Sequence, residues 1–410
     1  MRSPALRRSP DPFCDPTRPV PRRATKRGEK RTPLGGDYDV LVCGASFAGL
    51  SIARELAGSG ARVLVIDRYE IGERQTSACA APTEWLEKMG VAGSIRQTFD
   101  TLHIHTPHAD VAMRLPWTFS TFDYRELCAG LWEQCDAEFE TAKVEARVGS
   151  LPDPGSSLGD DPVVVLTDRG ELAAALVVDA LGWRRVLGTG YQPPGAPLSR
   201  GLEVHPHGSS DELEIWIERD VVPAGYGWSF PAAGEVRIGV GSFDPYHHVK
   251  KPTVALAERL EAEAVRYQGN WIPHRLREAT NGGIFFCGDS AGHCLPLTAE
   301  GIRTAFYFSI AAGREIRGVV EGRMTRDAAL RSYAEFSAAH RWQFEWMLRV
   351  QKLIPRVPPR MLGFALRRME ADRFVTWSFN HYLNIAHPSF AAGDPAATPA
   401  PHAEPLGSYT

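Results

Sequence analysis

The chain has 410 residues, 43% of them hydrophobic and 23% charged, which is the composition of a globular protein with room for two fused domains. There is no apolar run long enough to span a bilayer, and the basic N-terminal stretch lacks the apolar segment of a secretory signal, so neither is predicted. Residues 1–36 hold ten Lys and Arg against three Asp and Glu, which leaves 36 basic and 46 acidic residues for 37–410. This acidic body argues against binding of nucleic acid.

Both ends of the chain are predicted to be disordered. Residues 1–36 are rich in proline and basic side chains and carry no periodic apolar pattern, so we expect a basic arm that buries no core. Binding of this arm to phosphate groups, or peripheral contact with a membrane surface, stays open. Residues 391–410 are expected to form a second disordered tail.

The use of cysteine and histidine indicates unbridged thiols and no metal site. The seven cysteines are odd in number and contain no C-x-x-C spacing, which favours a reducing, cytoplasmic compartment. His103 and His105 would share one strand face, but no third ligand is evident. We therefore assign no metal.

The first ordered segment is predicted to be a strand–helix–strand unit. Residues 38–43 form a short apolar run typical of a buried parallel strand, 50–57 a helix, and 62–67 a second buried strand. Two such strands around one helix, within about thirty residues, are typical of a doubly wound α/β domain.

The loop between this strand and helix has the form of a dinucleotide-binding loop. Gly44 permits a sharp turn and Gly49 a close approach of helix to strand, while Ser46 stands where a second glycine is usual. Asp67 ends the second strand, where an acid binds an adenosine ribose. The predicted nucleotide ligands here are Gly44, Ser46, Ala48, Gly49, Asp67 and Arg68.

Further elements follow in chain order, first mainly sheet and then mainly helix. They are a helix at 123–139, a hairpin at 163–182, antiparallel strands at 200–243, a helix at 253–268, a strand at 283–287, a helix near 299–318 and a helical segment at 326–390. The last segment is rich in aromatic side chains, which we expect to pack inside the protein. Closure of a long apolar cavity is the alternative.

A second glycine-rich motif, Gly288-Asp289-Ser290-Ala291-Gly292, follows the predicted strand at 283–287, with Pro296 and Gly301-Ile302 downstream. This stretch resembles the late flavin-binding element of the p-hydroxybenzoate hydroxylase-type flavoproteins, in the form found in their geranylgeranyl reductase branch. The resemblance implies bound FAD, with Asp289 at the ribityl chain and Pro296, Gly301 and Ile302 along the flavin ring. It also implies that Arg125 reaches the FAD diphosphate or ribityl region, with a surface salt bridge as the alternative.

Two further segments are similar to geranylgeranyl reductases. Tyr226, Trp228 and Phe230 stand in a Y-x-W-x-F-P element and would share one strand face, forming an apolar wall for substrate; plain core packing is the alternative. Cys79 stands where these reductases carry a cysteine near the flavin, although Ala80-Ala81-Pro82 replaces the glycines that follow it there. Cys79 is thus the candidate catalytic residue, with an inert buried thiol as the alternative.

These features predict an α/β protein. Its parts are a doubly wound, Rossmann-like FAD-binding domain at 37–182 and 270–325, an antiparallel-sheet substrate domain at 183–269 with further strands expected near 100–120, and C-terminal helices at 326–390. The resemblance implies an FAD-dependent oxidoreductase that reduces carbon–carbon double bonds of an isoprenoid-like or other apolar substrate, with NAD(P)H or a reduced carrier as electron donor. A flavin-dependent monooxygenase and a non-redox cyclase remain the alternatives.

Overall fold

The computed structural model describes residues 32–149, 161–190, 196–369 and 372–392, so most of the predicted arm and tail lies outside the described residues. The arm is shorter than predicted. The Leu34 amide donates to the Arg169 carbonyl at 2.9 Å, and the Arg169 guanidinium donates to the Thr32 carbonyl at 2.9 Å. Leu34 also packs against buried residues, and Ala391, assigned to the tail, is buried. The described fold therefore begins before Asp37 and extends past Phe390.

The described residues form sixteen β-strands in two sheets of eight. In chain order they are β1 (Tyr38–Cys43), β2 (Val63–Asp67), β3 (Ala80–Pro82), β4 (Ile95–Thr106), β5 (Ala109–Phe122), β6 (Glu138–Thr141), β7 (Val144–Arg147), β8 (Val163–Thr167), β9 (Gly170–Asp179), β10 (Leu198–Val204), β11 (Leu213–Trp216), β12 (Gly225–Pro231), β13 (Val236–Ser242), β14 (Gln268–Pro273), β15 (Thr280–Asn281) and β16 (Ile284–Phe286).

Nine α-helices accompany these strands in the described ranges. They are α1 (Phe47–Leu56), α2 (Thr83–Lys88), α3 (Tyr124–Trp132), α4 (Lys250–Arg259), α5 (Ile302–Val320), α6 (Arg326–Ala339), α7 (Arg341–Leu353), α8 (Pro359–Met369) and α9 (Asp372–Leu383). None of the helices in these ranges is long and apolar enough to cross a bilayer.

The first sheet confirms the predicted doubly wound architecture. Its strand order is β15-β16-β9-β1-β2-β6, and β1 runs parallel to both β2 and β9, while β16 runs parallel to β9. Val40 and Val42 face the core that contains α1, whereas Leu41 and Cys43 face a second apolar cluster. Burial on both faces explains why β1 is an almost continuous apolar run. The hairpin of β8 and β9 joins this sheet at β9, as the turn at Asp168–Gly170 predicts.

The second sheet contains the antiparallel strands that the sequence predicts for the substrate domain. Its order is β14-β10-β13-β12-β11-β4-β5-β3, and the pairing is antiparallel except between β11 and β4. The long strands β4 and β5 belong to it, as anticipated for residues near 100–120. Helix α4 covers one face, where Ile238, Val240 and Leu256 are buried together. The opposite face is left for contact with the first sheet and its loops.

Two predicted helices are wrong in part. The helix expected at 123–139 ends at Trp132, and its last residues lie in β6, because Phe139 pairs with Val65 at the edge of the first sheet. The helix expected at 253–268 ends at Arg259, and Gln268 begins β14. Pairing of β14 with β10 satisfies backbone groups that a longer helix would have satisfied within itself.

The C-terminal helices pack by one face each. Phe344 and Met347 of α7 join a cluster with Leu295 and Phe308, while Leu366 of α8 and Val375 of α9 pack against β4 and β5. The expectation that the aromatic side chains of this segment are packed inside is wrong for five of them. Those exposed to solvent are Trp342, Trp346, Phe364, Phe374 and Trp377.

Candidate active site

The glycine loop between β1 and α1 forms a cradle that side chains would fill. Gly44 has φ +113°, and a Cβ there would overlap the carbonyl oxygen of Ala180. A Cβ at Gly49 would in turn overlap the carbonyl oxygen of Gly44. The Ser46 side chain does not cap α1, and the first turn of the helix holds no acidic residue. The first amides of α1 are therefore available to an anionic group such as a diphosphate.

The predicted ribose acid is fixed against this loop. The Asp67 carboxylate accepts hydrogen bonds from the Ala45 amide at 2.9 Å and the Tyr69 amide at 3.0 Å. Burial raises the pKa of Asp67, and these amide donors offset part of the rise. The Arg68 guanidinium lies 5.2 Å from the centre of the Tyr69 ring. Asp67 thus stands beside the phosphate cradle, at the end of β2, as the sequence predicts.

Helix α3 also contacts the loop, although through a residue that the sequence analysis missed. The buried Tyr124 hydroxyl donates to Ser46 Oγ at 3.0 Å. Arg125, the predicted ligand, follows Tyr124 and has an exposed side chain, while its backbone packs against Gly72. Arg125 therefore lies one residue from the cradle on the first turn of α3, and its contact with FAD remains a proposal.

The second glycine-rich motif meets the first at the carboxyl edge of the parallel strands. Residues Gly288–Ala291 form a 3-10 turn directly after β16, and Gly288 has φ +60°. A Cβ at Gly288 would lie 3.1 Å from Ala48 Cβ on the first loop. Ser290 Oγ donates to the Asp179 carboxylate at 2.7 Å, which ties the motif to the end of β9. Two motifs 240 residues apart in the sequence thus form one site.

Asp289 offers an unsatisfied carboxylate in this site. No described residue donates a hydrogen bond to it, and burial raises its pKa to about 7. Its Oδ1 lies 3.7 Å from the position that a Cβ would take at Gly301, immediately before α5 begins. A half-buried carboxylate that lacks donors fits the hydroxyl groups of a ribityl chain. Together with the open cradle at Gly44, this fit supports FAD as the bound group.

The loop at 295–301 is held from three sides. The Gln351 side chain on α7 donates to the Pro296 carbonyl, and the Tyr226 hydroxyl on β12 donates to the Thr298 carbonyl. The Tyr382 hydroxyl on α9 donates to the Glu300 carboxylate. Both the substrate sheet and the C-terminal helices thus fix the loop that carries Pro296 and Gly301. Gln351 and Tyr382 have no sequence signal that would assign them this role.

The buried Arg303 completes this attachment from α5. Its guanidinium pairs with Glu300 at 2.6 Å and donates to the carbonyl groups of Tyr382 and Leu383 at 3.1 Å and 2.9 Å. The end of α9 is therefore fastened to the start of α5, next to Gly301 and Ile302.

The aromatic side chains of β12 lie on the sheet face opposite the α4 core, and one of them reaches this loop. The ring centroids of Tyr226 and Trp228 lie 6.0 Å apart, and those of Trp228 and Phe230 lie 6.4 Å apart. Their strand neighbour Gly227 points the other way, toward Leu256 of α4. Because the Tyr226 hydroxyl reaches Thr298, between Pro296 and Gly301, this wall begins at the predicted flavin ring site.

A buried polar cluster lies behind Trp228, and the sequence analysis missed it. The Glu203 carboxylate accepts from Trp228 Nε1 at 3.2 Å, and its other oxygen lies 2.9 Å from His205 Nε2. Arg237 on β13 donates to the Ala78 and Cys79 carbonyls at 2.9 Å and 3.1 Å. The cluster therefore connects the aromatic wall to the segment that carries Cys79. Strand alternation was the only signal for it, and alternation does not distinguish a buried polar face from an exposed one.

Cys79 is held in an unusual backbone conformation with no exposed surface. Its φ is +55°, in the left-handed region that favours glycine, and its thiol donates to the Ser77 carbonyl at 3.2 Å. Burial raises the pKa of the thiol well above its usual range, although the Arg237 charge opposes this. The side chain is thus a buried thiol whose contact in the structure is the Ser77 carbonyl.

Neither the described thiols nor two of the remaining histidines show the arrangement of a reactive or metal-binding group. The six described cysteines are unbridged thiols, as predicted. His293 is buried in the core of the motif, where its ring stacks on Phe308 with the ring centroids 3.9 Å apart. This burial lowers the pKa of its imidazole. His105 contacts Asp110 and Glu214 at 2.9 Å and 3.1 Å. Within the described ranges, no group of three or more His, Cys, Asp or Glu residues has the arrangement of a metal site.

The fold and the two motifs agree with the predicted flavin-dependent oxidoreductase, and so does comparison with known proteins. Residues 39–86 match the family model of FAD dependent oxidoreductases, a span that includes β1, α1 and β2. Solved structures with the same fold include the halogenase PltM in complex with FAD, at a TM-score of 0.59 and 15% identity over 87% of this chain and 89% of that chain. The predicted class and its cofactor, FAD, are confirmed.

The most informative sequence similarities are to geranylgeranyl reductases. The chain is 30% identical over 198 residues to the chloroplastic geranylgeranyl diphosphate reductase of Nicotiana tabacum, a match that spans 44% of this chain and 40% of the tobacco protein. It is 23% identical over 353 residues to digeranylgeranylglycerophospholipid reductase 3 of Methanosphaera stadtmanae, which spans 74% of this chain and 83% of that protein.

Comparison with solved structures shows that the fold is shared. A geranylgeranyl bacteriochlorophyll reductase-like protein of Thermoplasma acidophilum superposes with a TM-score of 0.73 at 15% identity, over 87% of this chain and 98% of that one. PqsL of Pseudomonas aeruginosa, described as a probable FAD-dependent monooxygenase, gives 0.58 at 17% identity, over 84% of this chain and 100% of that one. The predicted resemblance to the geranylgeranyl reductase branch is confirmed, within a fold that monooxygenases share.

Proposed function

We propose that this protein is an FAD-dependent reductase of carbon–carbon double bonds in an isoprenoid-like or other apolar substrate. The observation that carries the proposal is the contact of Tyr226 with Thr298. It joins an aromatic strand face to the loop that, on resemblance, borders the flavin ring. The similarity to reductases of geranylgeranyl groups supports an isoprenoid chain as the occupant.

The cofactor ligands would be those that the sequence predicts. The amides after Gly44 would bind the diphosphate, Asp67 the ribose, and Asp289 the ribityl hydroxyls. Arg125 would reach the diphosphate by turning its exposed side chain toward the cradle. The start of α5 at Ile302 would stabilise negative charge at the ring, because a helix N-terminus carries positive partial charge. FAD in its reduced form supplies hydride to one carbon of the double bond.

The aromatic wall would bind and orient the chain of the substrate. Tyr226, Trp228 and Phe230 offer dispersion contacts and exclude water from the double bond. The Glu203 bond to Trp228 Nε1 fixes the indole, so the wall has a defined shape. A flat apolar surface suits an alkene better than it suits a polar substrate. This favours reduction of a carbon–carbon double bond.

The second carbon requires a proton, for which we propose the Cys79 thiol as donor. Burial keeps this thiol protonated, and the positive φ marks a turn held away from its preferred conformation. Cys79→Ala is expected to lower turnover of the reduced flavin at least tenfold, and Cys79→Ser to recover part of it. Equal rates for all three proteins would make Cys79 a packing residue.

The decisive test is anaerobic. The flavoprotein is photoreduced and then mixed with polyprenyl diphosphates, with polyprenyl glycerophospholipids, or with oxygen and an aromatic acceptor. We expect oxidation of the flavin by the alkene and a product heavier by two hydrogens. Hydroxylated product in the oxygen arm, without alkene reduction, would identify a monooxygenase. NADH, NADPH and a reduced carrier protein are compared as electron donors in the same assay.

Trp228→Ala provides the test of the wall. It is expected to keep the flavin spectrum and lose turnover with the alkene, whereas Tyr246→Ala, at an exposed site outside the wall, is expected to change neither. Full activity in the Trp228 variant would refute the wall. The unbridged thiols also lead us to propose a reducing, cytoplasmic location.

A further inference from the structure

The exposed apolar side chains of this protein are concentrated on helices α7, α8 and α9. Seven of the ten large hydrophobic side chains that are exposed among the described residues lie there. Trp342, Trp346, Met361, Phe364 and Trp377 are each between 53% and 67% exposed. Single exposed apolar residues are ordinary, but this many on three consecutive helices indicate an interaction surface.

These side chains form stripes opposite the packed faces of their helices. Met361 and Phe364 on α8 lie three residues apart, as do Phe374 and Trp377 on α9. Leu366 of α8 and Val375 of α9 are buried in one cluster with residues of β4 and β5. Because both helices pack on the same sheet, their exposed stripes point to the same side, away from it.

The same helices carry a net positive charge, whereas the rest of the folded body is acidic. Residues 341–383 contain eight Lys and Arg against three Asp and Glu, whereas the remainder of 37–410 contains 28 basic and 43 acidic residues. All eight basic side chains are exposed; they are Arg341, Arg349, Lys352, Arg356, Arg360, Arg367, Arg368 and Arg373. Exposed aromatic and basic side chains are thus concentrated on the same three helices of an otherwise acidic protein.

We propose that this surface, α7 to α9, docks the protein on an anionic phospholipid bilayer. Tryptophan and phenylalanine insert at the level of the lipid headgroups, while arginine side chains bind the phosphates and extend their apolar stems along the same boundary. Anionic lipid headgroups account for the eight exposed cations, and the acyl boundary below them accounts for the aromatic side chains among these cations. On this proposal the three helices lie in the plane of the membrane interface, with their exposed aromatic side chains toward the lipid.

The inner sides of the same helices hold the candidate site. Gln351 of α7 donates to the Pro296 carbonyl, and Tyr382 of α9 donates to the Glu300 carboxylate. A bilayer bound to the outer stripes would therefore lie one helix thickness from the loop at 295–301. Docking would bring an apolar substrate dissolved in the membrane next to the aromatic wall of β12.

Vesicle flotation with the full chain tests the proposal without any turnover, so its outcome does not depend on the proposed reductase activity. Vesicles of phosphatidylcholine with phosphatidylglycerol are compared with vesicles of phosphatidylcholine alone. We expect binding to the anionic vesicles that weakens as salt is raised. Each of Arg349→Gln, Arg360→Gln and Arg373→Gln should lower the partition coefficient roughly fivefold.

The aromatic contribution is tested with Phe364→Ser combined with Trp377→Ser, which should lower the partition coefficient at least about tenfold. Tyr246→Ser and Arg331→Gln are matched controls, because both residues are exposed and lie outside α7–α9. Circular dichroism confirms the fold of each variant. Tyr246→Ser and Arg331→Gln should bind the vesicles as the unaltered protein does.

Three results would overturn the proposal. The first is equal binding of the stripe variants and the unaltered protein. The second is loss of binding when the ten basic residues of the arm are replaced by Gln, with the stripe variants unaffected. The third is a dimer, seen by sedimentation, that the stripe variants dissociate while vesicles recruit neither form.

Discussion

The glycines of the two motifs matter through the atoms that approach them. Gly44 combines a positive φ with a carbonyl oxygen of Ala180 where a Cβ would stand. Gly288 places the second motif against Ala48 of the first. Substitution at either position changes both the backbone conformation and the spacing of the loops. We therefore expect it to weaken FAD binding more than it lowers the stability of the fold.

Gly44→Val is expected to abolish FAD binding, because the branched side chain cannot occupy the space of the Ala180 carbonyl. Absorbance of the purified protein and titration with FAD measure this. Gly93→Val is the matched control, since no atom lies within 4 Å of a Cβ at Gly93. Asp67→Ala, which leaves the backbone unstrained, should also lose FAD. Retained affinity within twofold in the Gly44 variant would exclude this loop as the phosphate site.

Asp289 predicts a pH dependence of stability in the flavin-free protein. Burial raises its pKa from 3.8 to about 7, so the folded protein binds this proton more tightly than the unfolded chain does. The contribution of Asp289 to the free energy of unfolding is therefore full at acidic pH, falls as pH rises from about 4 to about 7, and is lost above that. Each pKa unit corresponds to a loss of at most about 1.4 kcal/mol.

Urea unfolding of the flavin-free protein at several pH values measures the effect. Asp289→Asn should remove a part of the slope between about pH 4 and about pH 7, because the amide does not titrate. Other buried carboxyl groups, such as Asp179, also contribute to the pH dependence, and the difference between the two proteins isolates Asp289. Identical slopes would mean that Asp289 is solvated in the folded protein.

Between elements, the contact of β12 with the loop at 295–301 couples substrate sheet and cofactor loop. Tyr226→Phe removes only the hydroxyl that donates to the Thr298 carbonyl. We expect FAD affinity to fall roughly two- to tenfold, the range of one buried hydrogen bond. Tyr246→Phe is the control at an exposed tyrosine. Unchanged affinity would show that α7 and α9 hold the loop without help from the sheet.

Across the whole molecule, the first and last described segments pack against the first sheet and against α2. Thr32 and Leu34 bind Arg169 beside β8 and β9, while the chain after α9 returns to α2, where Trp85 Nε1 donates to the Ala386 carbonyl at 2.9 Å. The fold therefore depends on segments near both ends of its described range, and not only on the two sheets.

A chain that begins at Thr32 should unfold with the same free energy as the full chain. A chain that begins at Gly35 should lose about 1–2 kcal/mol, since it lacks the Leu34 hydrogen bond and the burial of its side chain. Urea denaturation of the two chains measures the difference. If both were equally stable, the contact with Arg169 would contribute nothing, and the arm would end where the sequence analysis places it.

The sequence by itself was sufficient for the parts of the protein in which local pattern and backbone geometry coincide. The apolar run of β1, the turn at Gly44 and the acid at Asp67 follow one another within thirty residues, so their geometry is set by short-range constraints. The resemblance at Gly288–Gly292 added the cofactor. The second motif contacts the first, with Gly288 against Ala48, because parallel strands of one sheet have their carboxyl ends at the same edge.

Only the tertiary structure decided which faces are covered. The sequence pattern of α7–α9 shows aromatic side chains but not that five of them are exposed to solvent, because helical periodicity does not determine which face of a helix is packed. Likewise, alternation on β10 and β13 did not identify Glu203 and Arg237 as buried partners of Trp228 and Cys79. Glu138 and Phe139, at the end of the predicted helix, lie in β6 instead, where they pair with β2. Long-range contacts choose between local alternatives of nearly equal free energy, and that choice is not contained in any single segment of the chain.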